Sequence, residues 1–300
     1  MLSVIMPVFN EAAVIEQSYK RLKSVLDANG EPYEIIMSND GSRDESENII
    51  KVLMENDKNL KLITLSRNFG QQAAISAGLD NAAGDAIVII DADMQDPPEL
   101  IGQLTEKWRE GYDIVYGIKS NRESDSFLKR NTAKLYYRII SALTTECKIP
   151  QDSGDFRLLD RKVVDALKSF PEHNRYLRGI YAWMGFKSIG INFTREERAA
   201  GETKYTVKKM LKLAADGFFS FSSTPIKLVQ FFSVIMSILT VGLVLLLCLT
   251  DIIQVSGTII LAVMLDLVVF SLSILSIYLG RIYDEVRNRP MYIIREKNNF

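Results

Sequence analysis

The stretch AIVIIDADMQDPPEL, residues 86–100, decides how the chain is read. Four apolar β-formers, Ile87, Val88, Ile89 and Ile90, run directly into Asp91 and Asp93, with Asp96 close behind. An unbroken apolar run of this length is the pattern of a strand covered on both faces. A strand that ends in carboxylates gathers negative charge in one place. Asp91 and Asp93 can aim at one cation through a tight turn, and Gln95 can add a further oxygen. Hard oxygen donors of this kind suit Mg2+ or Mn2+, often together with substrate phosphates. A surface turn with solvated acids has the same local sequence, so the surroundings must decide.

Outward from this strand the same alternation recurs. Strands are expected at Ser3–Val8, Tyr33–Ser38, Leu60–Leu65, Asp85–Ile90 and Asp113–Tyr116, and helices at Glu11–Ala28, Asp44–Asn56, Phe69–Ala82 and Pro97–Glu110. Strands alternating with helices at this spacing give an α/β domain with a mostly parallel, Rossmann-like sheet covered on both faces. Such sheets bind ligands beyond the carboxyl ends of their strands. Three of those ends are polar here: PVFNE after the first strand, SNDGS after the second and DADMQD after the fourth. Neither G-x-G-x-x-G nor G-x-x-x-x-G-K-[ST] is present, which removes the dinucleotide fingerprint and the P-loop.

Composition narrows the function. Among 300 residues, 36 Lys and Arg balance 37 Asp and Glu, for a net charge of −1, which argues against nucleic acid as a partner. Two cysteines, Cys147 and Cys248, make no disulfide framework, and a single histidine, His173, disfavours a histidine zinc site or a Ser-His-Asp triad. The opening MLSVIMPVFNE has no basic n-region and no long apolar region, so it is not read as a signal peptide.

The last quarter differs. VQFFSVIMSILTVGLVLLLCL, residues 229–249, carries no charge, and a second apolar run from Gly257 to Gly280 carries only Asp266. Each has about the 20 residues a helix needs to cross a bilayer. Two helices, about 229–250 and 257–280, are therefore expected as a transmembrane hairpin, followed by a basic tail at 281–300. Lys209, Lys212 and Lys227 precede the hairpin, Arg281, Arg287, Arg289, Arg295 and Lys297 follow it, and the connection has no basic residue. The positive-inside rule then places both ends and the N-terminal domain, residues 1–225, on the cytoplasmic side of the plasma or inner membrane. A carboxylate inside a membrane helix costs about 2.5–3.5 kcal/mol, so Asp266 should face another helix or a subunit partner, and a homo-oligomer is expected. Residues 127–143, FLKRNTAKLYYRIISAL, read as an amphipathic helix with Arg130, Lys134 and Arg138 in one row. YTVKKMLKLAADGFFSFSSTPIKL, before the first apolar run, mixes lysines with large apolar residues. Helices at about 126–145 and 205–226 suit an anionic headgroup layer; a solvated basic face is the other reading of the first.

Taken together, VIMPVFNE, SNDGSRD, DADMQDPPE, GDFRLLDRKVVDAL and ERAAGETKYTVKKM, followed by the apolar hairpin, resemble the family 2 glycosyltransferases of GT-A fold. Within them they are most similar to the branch that transfers a sugar to a polyisoprenyl phosphate. The resemblance implies an inverting transfer from a UDP-sugar, UDP-glucose first, since HNRYLRGIYAWMGF is similar to the glucosyltransferase-like relatives. It implies that Pro7, Phe9 and Glu11 cradle the nucleoside and Asp40 binds base or ribose. Asp91 would lie by the ribose, and Asp91, Asp93 and Gln95 would hold the metal, Asp93 being placed among the catalytic residues. Arg198 and Lys204 would neutralise the leaving diphosphate. Asn39 stands where many relatives have a second aspartate. SRNFGQQAA, with Arg67 and Asn68, is another family stretch that could equally be a structural helix start.

Asp155 resembles the acceptor-side carboxylate, catalytic either as a base or by orientation and charge. A phosphate monoester has its second pKa near 6 and needs little help from a base. Lys119, Arg122 and Arg130 follow the last core strand and are expected to hold the acceptor phosphate. Two other functions fit parts of the pattern. A processive polysaccharide synthase would carry Q-x-x-R-W and more membrane helices, and a non-catalytic membrane scaffold or translocation subunit would have no use for an intact D-x-D.

Overall fold

The computed structural model of the chain describes residues 1–119, 150, 153–170, 172, 175–194, 224–249 and 254–300. Arg122, Arg130, Arg198, Lys204 and both expected interface helices lie outside the described residues, apart from Thr224–Ile226 at the start of the first apolar helix.

The expected alternation is present. Strands β1 (Leu2–Val8), β2 (Tyr33–Asn39), β3 (Leu60–Leu65) and β4 (Ala86–Ile89) alternate with helices α1 (Ile15–Asn29), α2 (Ser46–Met54) and α3 (Gln71–Asn81). A 3-10 turn at Pro98–Leu100 leads into α4 (Ile101–Arg109), and β5 (Ile114–Lys119) follows. Beyond it come β6 (Ser153–Asp160), α5 (Arg161–Lys168), α6 (Leu177–Trp183), β7 (Ser188–Phe193), α7 (Thr224–Leu249), α8 (Gln254–Val286) and β8 (Ile294–Asn298). The eight strands among the described residues form one sheet, in the order β7-β5-β6-β4-β1-β2-β3-β8. The pairs β1–β2, β1–β4, β2–β3 and β5–β7 are parallel. Because β1 pairs with β2 on one side and β4 on the other, the winding reverses there, and the crevice opens at the carboxyl ends of those strands.

Three strands were not expected: β7, which lies parallel to β5 at one edge of the sheet, and β6 and β8, which run antiparallel to their neighbours. β6 inserts between β4 and β5, so the fifth strand does not lie beside the fourth. Its sequence, SGDFRLLD, hides Asp155 and Arg157 among apolar residues, yet seven of its eight residues are buried. β8 comes from the expected basic tail and pairs with β3, Ile63 opposite Lys297 and Thr64 opposite Glu296. Two of the tail's basic residues are engaged there: Arg295 with Glu47, and Lys297 with Asn81 Oδ1. Tyr292 Oη donates to Asp80 Oδ2 at 2.6 Å, tying the tail to the end of α3.

The pleat sends alternate residues to two cores. Val4, Met6, Ile35, Met37, Val88 and Ile90 pack with α1, α2 and α4, while Ile5, Ile36, Ile87 and Ile89 pack with α3, α5 and α6. α3 lies closest to the sheet. It is buried from Ala73 through Leu79, and a Cβ on Gly78 would lie 2.4 Å from Ile5 Cγ2.

The apolar helices α7 and α8 are 26 and 33 residues long and touch each other where Thr240 Oγ1 lies 3.9 Å from Met264 Sδ; Ser233, Met236, Ser237, Leu267 and Ser271 line a groove beside that contact. Among the described residues, one stretch is long and apolar enough to cross a membrane, Met264–Val286, with a mean hydropathy of 1.8. α7 contributes a shorter one, Val229–Gly242, so a second span of the expected hairpin does not follow from these residues. Asp266 is exposed.

The packing of α3 can be tested with two glycines. Gly78→Val should lower stability by about 1–3 kcal/mol through overpacking. Gly102→Ala in α4, where a Cβ meets only Asn29 at 3.9 Å, should raise it by up to about 1 kcal/mol through helix propensity. Melting temperatures of the detergent-solubilised chain should therefore move in opposite directions.

Candidate active site

The three polar strand ends meet at the crevice. After β1, Pro7, Phe9 and Glu11 are half-buried. Their loop is laced to the one after β2: Asn10 N donates to Ser42 Oγ at 2.9 Å, Glu11 N to Ser46 Oγ at 2.8 Å and Arg43 N to Asn10 Oδ1 at 2.8 Å. The hydroxyls of Ser42 and Ser46 and the amide oxygen of Asn10 thus satisfy backbone donors that have no strand partner.

Asp40 is buried and holds the loop after β3. Its Oδ1 accepts from Phe69 N at 2.7 Å; its Oδ2 accepts from Gly70 N at 2.9 Å and Asn68 Nδ2 at 2.8 Å. Burial pushes its carboxyl up, against the opposing pull of those N–H groups and Arg67. Beside it, Gly41 has φ +66°, and a Cβ there would lie 2.6 Å from the backbone of Arg67. Only glycine combines this conformation with so close an approach. SRNFGQQAA is therefore a hub of the site: its loop backbone is fixed by Asp40, and its two glutamines reach further in.

Gln71 Nε2 donates to Asp91 Oδ1 at 2.8 Å, and Gln72 Oε1 accepts from Leu177 N at the start of α6. Asp91 leads into a tight turn that carries Asp93, in which Met94 takes a left-handed φ of 58° and Gln95 N donates to Asp93 Oδ1 at 3.2 Å. Burial, with the charges of Asp96, Asp155 and Asp93, pushes the Asp91 carboxyl up to about 7. Negative charge is thus concentrated beyond what Lys119 balances. Lys119 ends β5 with its Nζ 4.0 Å from Asp96 Oδ1. It sits inside the acidic cluster, beside β6.

Asp155 is buried on β6 and gripped by α6. Arg178 Nε donates to its Oδ1 at 2.7 Å and Arg178 Nη2 to its Oδ2 at 2.9 Å. Burial alone would raise this carboxyl, but Arg178, with Arg157 and Lys119, outweighs it and holds it at about 2. Arg157 is also buried. Its guanidinium lies 4.5 Å from the Tyr181 ring centre, and its Nη2 donates to Gly154 O at 2.6 Å. Of the expected site residues, the described ones converge on the crevice. Gln71, Gln72, Arg157 and Arg178 join them with no role assigned from the sequence, although each lies in a stretch singled out there.

The donor set fits a hard divalent cation. Among the described residues no three acidic, histidine or cysteine side chains are close enough to enclose a metal. Two carboxylates and the Gln95 amide oxygen would leave positions for phosphate oxygens and water, the usual coordination of Mg2+.

The Asp155–Arg178 pair has a definite pH signature. A carboxyl lowered by folding adds stability that is complete above its ordinary pKa near 4 and is lost as pH falls towards 2. Asp155→Asn should lower the melting temperature by the same amount at every pH from 5 to 9. A penalty that grows across that range would mean Asp155 is not fully ionised.

Comparison with known proteins agrees with this architecture. The Glycosyl transferase family 2 model matches residues 3–168. The chain is 45% identical to the Bacillus subtilis (strain 168) protein named uncharacterized glycosyltransferase YkcC, over 98% of this chain and 93% of that protein. It is 36% identical to the SfII prophage-derived bactoprenol glucosyl transferase of Shigella flexneri, over 99% and 98%. Among solved structures it is similar to glucosyl-3-phosphoglycerate synthase from Mycobacterium tuberculosis in complex with Mn2+, UDP-glucose and phosphoglyceric acid. The TM-score is 0.54 at 17% identity, covering 73% of this chain and 79% of that one, a likeness of fold. With more than half its length matched by the family model and such relatives along nearly all of it, the chain belongs to glycosyl transferase family 2.

Proposed function

We propose that the chain transfers a hexose, glucose first among the candidates, from a UDP-sugar to a polyisoprenyl phosphate such as undecaprenyl phosphate, with inversion at the anomeric carbon. The observation that carries this reading is the clamped Asp155. A carboxylate held at about 2 is too weak a base to activate an alcohol at neutral pH. A phosphate monoester, already mostly a dianion above about pH 6, needs no such base. Asp155 then orients the acceptor and stabilises the positive charge that develops on the sugar. The relative named bactoprenol glucosyl transferase supports a lipid acceptor, and the fold neighbour solved with Mn2+ and UDP-glucose supports the donor.

Pro7, Phe9 and Glu11 line the nucleoside side, and Asp40 acts there through the loop it fixes. Asp91, Asp93 and Gln95 would hold Mg2+ or Mn2+, which when bound would offset charge on the departing diphosphate. Arg198 and Lys204 share that task. Lys119, Arg122 and Arg130 hold the acceptor phosphate, whose approach to the acidic cluster requires local positive charge. α7 and α8 anchor the enzyme as a hairpin in the plasma or inner membrane, with the catalytic domain and both chain ends in the cytoplasm. A second copy covering the exposed Asp266 would complete the anchor.

Purified protein should release UDP from UDP-glucose only when both Mn2+ and a polyprenyl phosphate are present. Asp93→Asn should reduce that release by orders of magnitude in a protein that still folds. Full activity in EDTA would sink the metal assignment, and equal turnover with a simple alcohol as acceptor would sink the lipid phosphate. The elevated Asp91 carboxyl adds a pH test. Protons compete with the cation below about pH 7, so Mn2+ should bind roughly tenfold more weakly at pH 6 than at pH 8, as read by titration calorimetry.

A further inference from the structure

The ion pair on Asp155 leads to a residue with no assigned role. We propose that Arg178 is the positioning residue of the acceptor side: it fixes the plane and the ionised state of the Asp155 carboxylate, and α6 is anchored for that purpose. This rests on the reading of the reaction given above.

Three observations carry it. The first is geometric. The Nε and Nη2 atoms of Arg178 meet the two oxygens of Asp155 at 2.7 and 2.9 Å, so a planar fork faces a planar acceptor. This arrangement removes the freedom of the carboxylate to rotate, which a lysine could not do. The second is placement. Asp155 is buried on β6, among carboxylates that include Asp91, while Arg178 arrives from a different element, α6. The start of that helix is itself held, because Leu177 N donates to Gln72 Oε1. The neighbouring Gln71 donates to Asp91 Oδ1. Two consecutive glutamines of α3 therefore set the position of Asp91 directly and of Asp155 through Arg178.

The third is energetic. A buried ion pair is often no more stabilising than apolar residues of the same volume, so stability alone is a poor reason for one at the edge of a crevice. Burial disfavours an ionised Asp155. Arg157, the buried cation of β6 itself, is turned to the Tyr181 ring and the Gly154 carbonyl. The two-point contact to Asp155 falls to Arg178.

A double-mutant cycle tests the assignment. Steady-state transfer from UDP-glucose to a polyprenyl phosphate in the presence of Mn2+ is measured for the wild type, Asp155→Asn, Arg178→Gln and the double variant, with rates normalised to folded protein by thermal melting. Arg178→Gln should lower kcat about 100-fold with the UDP-glucose KM within about twofold, and Arg178→Lys should recover part of the loss. In the Asp155→Asn background, Arg178→Gln should cost less than about twofold further. Losses that multiply in the double variant would overturn the proposal, since Arg178 would then act independently of Asp155. An Arg178→Gln kcat within twofold of wild type would overturn it as well. A wild-type protein that transfers no sugar would sink the reading of the reaction and this role with it, whereas an active wild type with a multiplicative cycle would remove the role alone.

Discussion

Carboxylates gathered at the ends of neighbouring strands repel one another, and the surroundings of this site are arranged around that repulsion. Asp91, Asp93 and Asp96 follow β4, and Asp155 lies on the adjoining β6. The protein treats them unequally. Asp155 has a guanidinium on both oxygens, Asp96 has Lys119 nearby, and Asp91 has the neutral amide of Gln71. One side of the crevice is thus electrostatically closed by the chain itself. The other keeps an excess of negative charge, which suits a cation that comes and goes with its ligand. This asymmetry follows from the sheet. One half is the parallel run β3-β2-β1-β4, and inserting an antiparallel strand beside β4 brings a further carboxylate to the same crevice from the opposite chain direction.

Much of this was legible in the sequence. The strand-helix alternation up to β5, the polar strand ends and the acidic turn all follow from local pattern, because each is written within ten or so consecutive residues. What escaped has the opposite character. β6 carries Asp155 and Arg157 in its middle, and in-strand charges read as solvated unless their partners are known. Those partners, Arg178 and Tyr181, lie more than twenty residues downstream. Gln71 and Gln72 are equally silent locally, since an amide at a helix start has many uses. The contact from Gln72 to Leu177 crosses 105 residues. In the last quarter the apolar runs pointed to two helices, but not to which faces they turn to each other, and Asp266 is exposed.

The order of the strands also separates rigidity from access. α3 is buried along most of its length and packs so tightly that a glycine is needed over Ile5. It meets the acidic cluster at one end and the tail strand at the other, through Asp80 and Asn81. The loops that line the crevice are instead held by side-chain hydrogen bonds from serine, asparagine and aspartate. They are thus more open to adjustment than the helix behind them.

The position of β8 has a consequence for how the molecule is made. The sheet edge at β3 is formed from residues near the start of the chain, but its covering strand comes from the last seven residues, beyond both apolar helices. During synthesis that edge stays bare until α7, α8 and the strand that follows them have been made. Strand pairing across more than two hundred residues is slow to form, and an uncovered edge is a template for unwanted pairing. Completion of the sheet is therefore linked to synthesis of both apolar helices: a chain interrupted before β8 keeps an exposed, sticky edge and becomes a ready substrate for quality control.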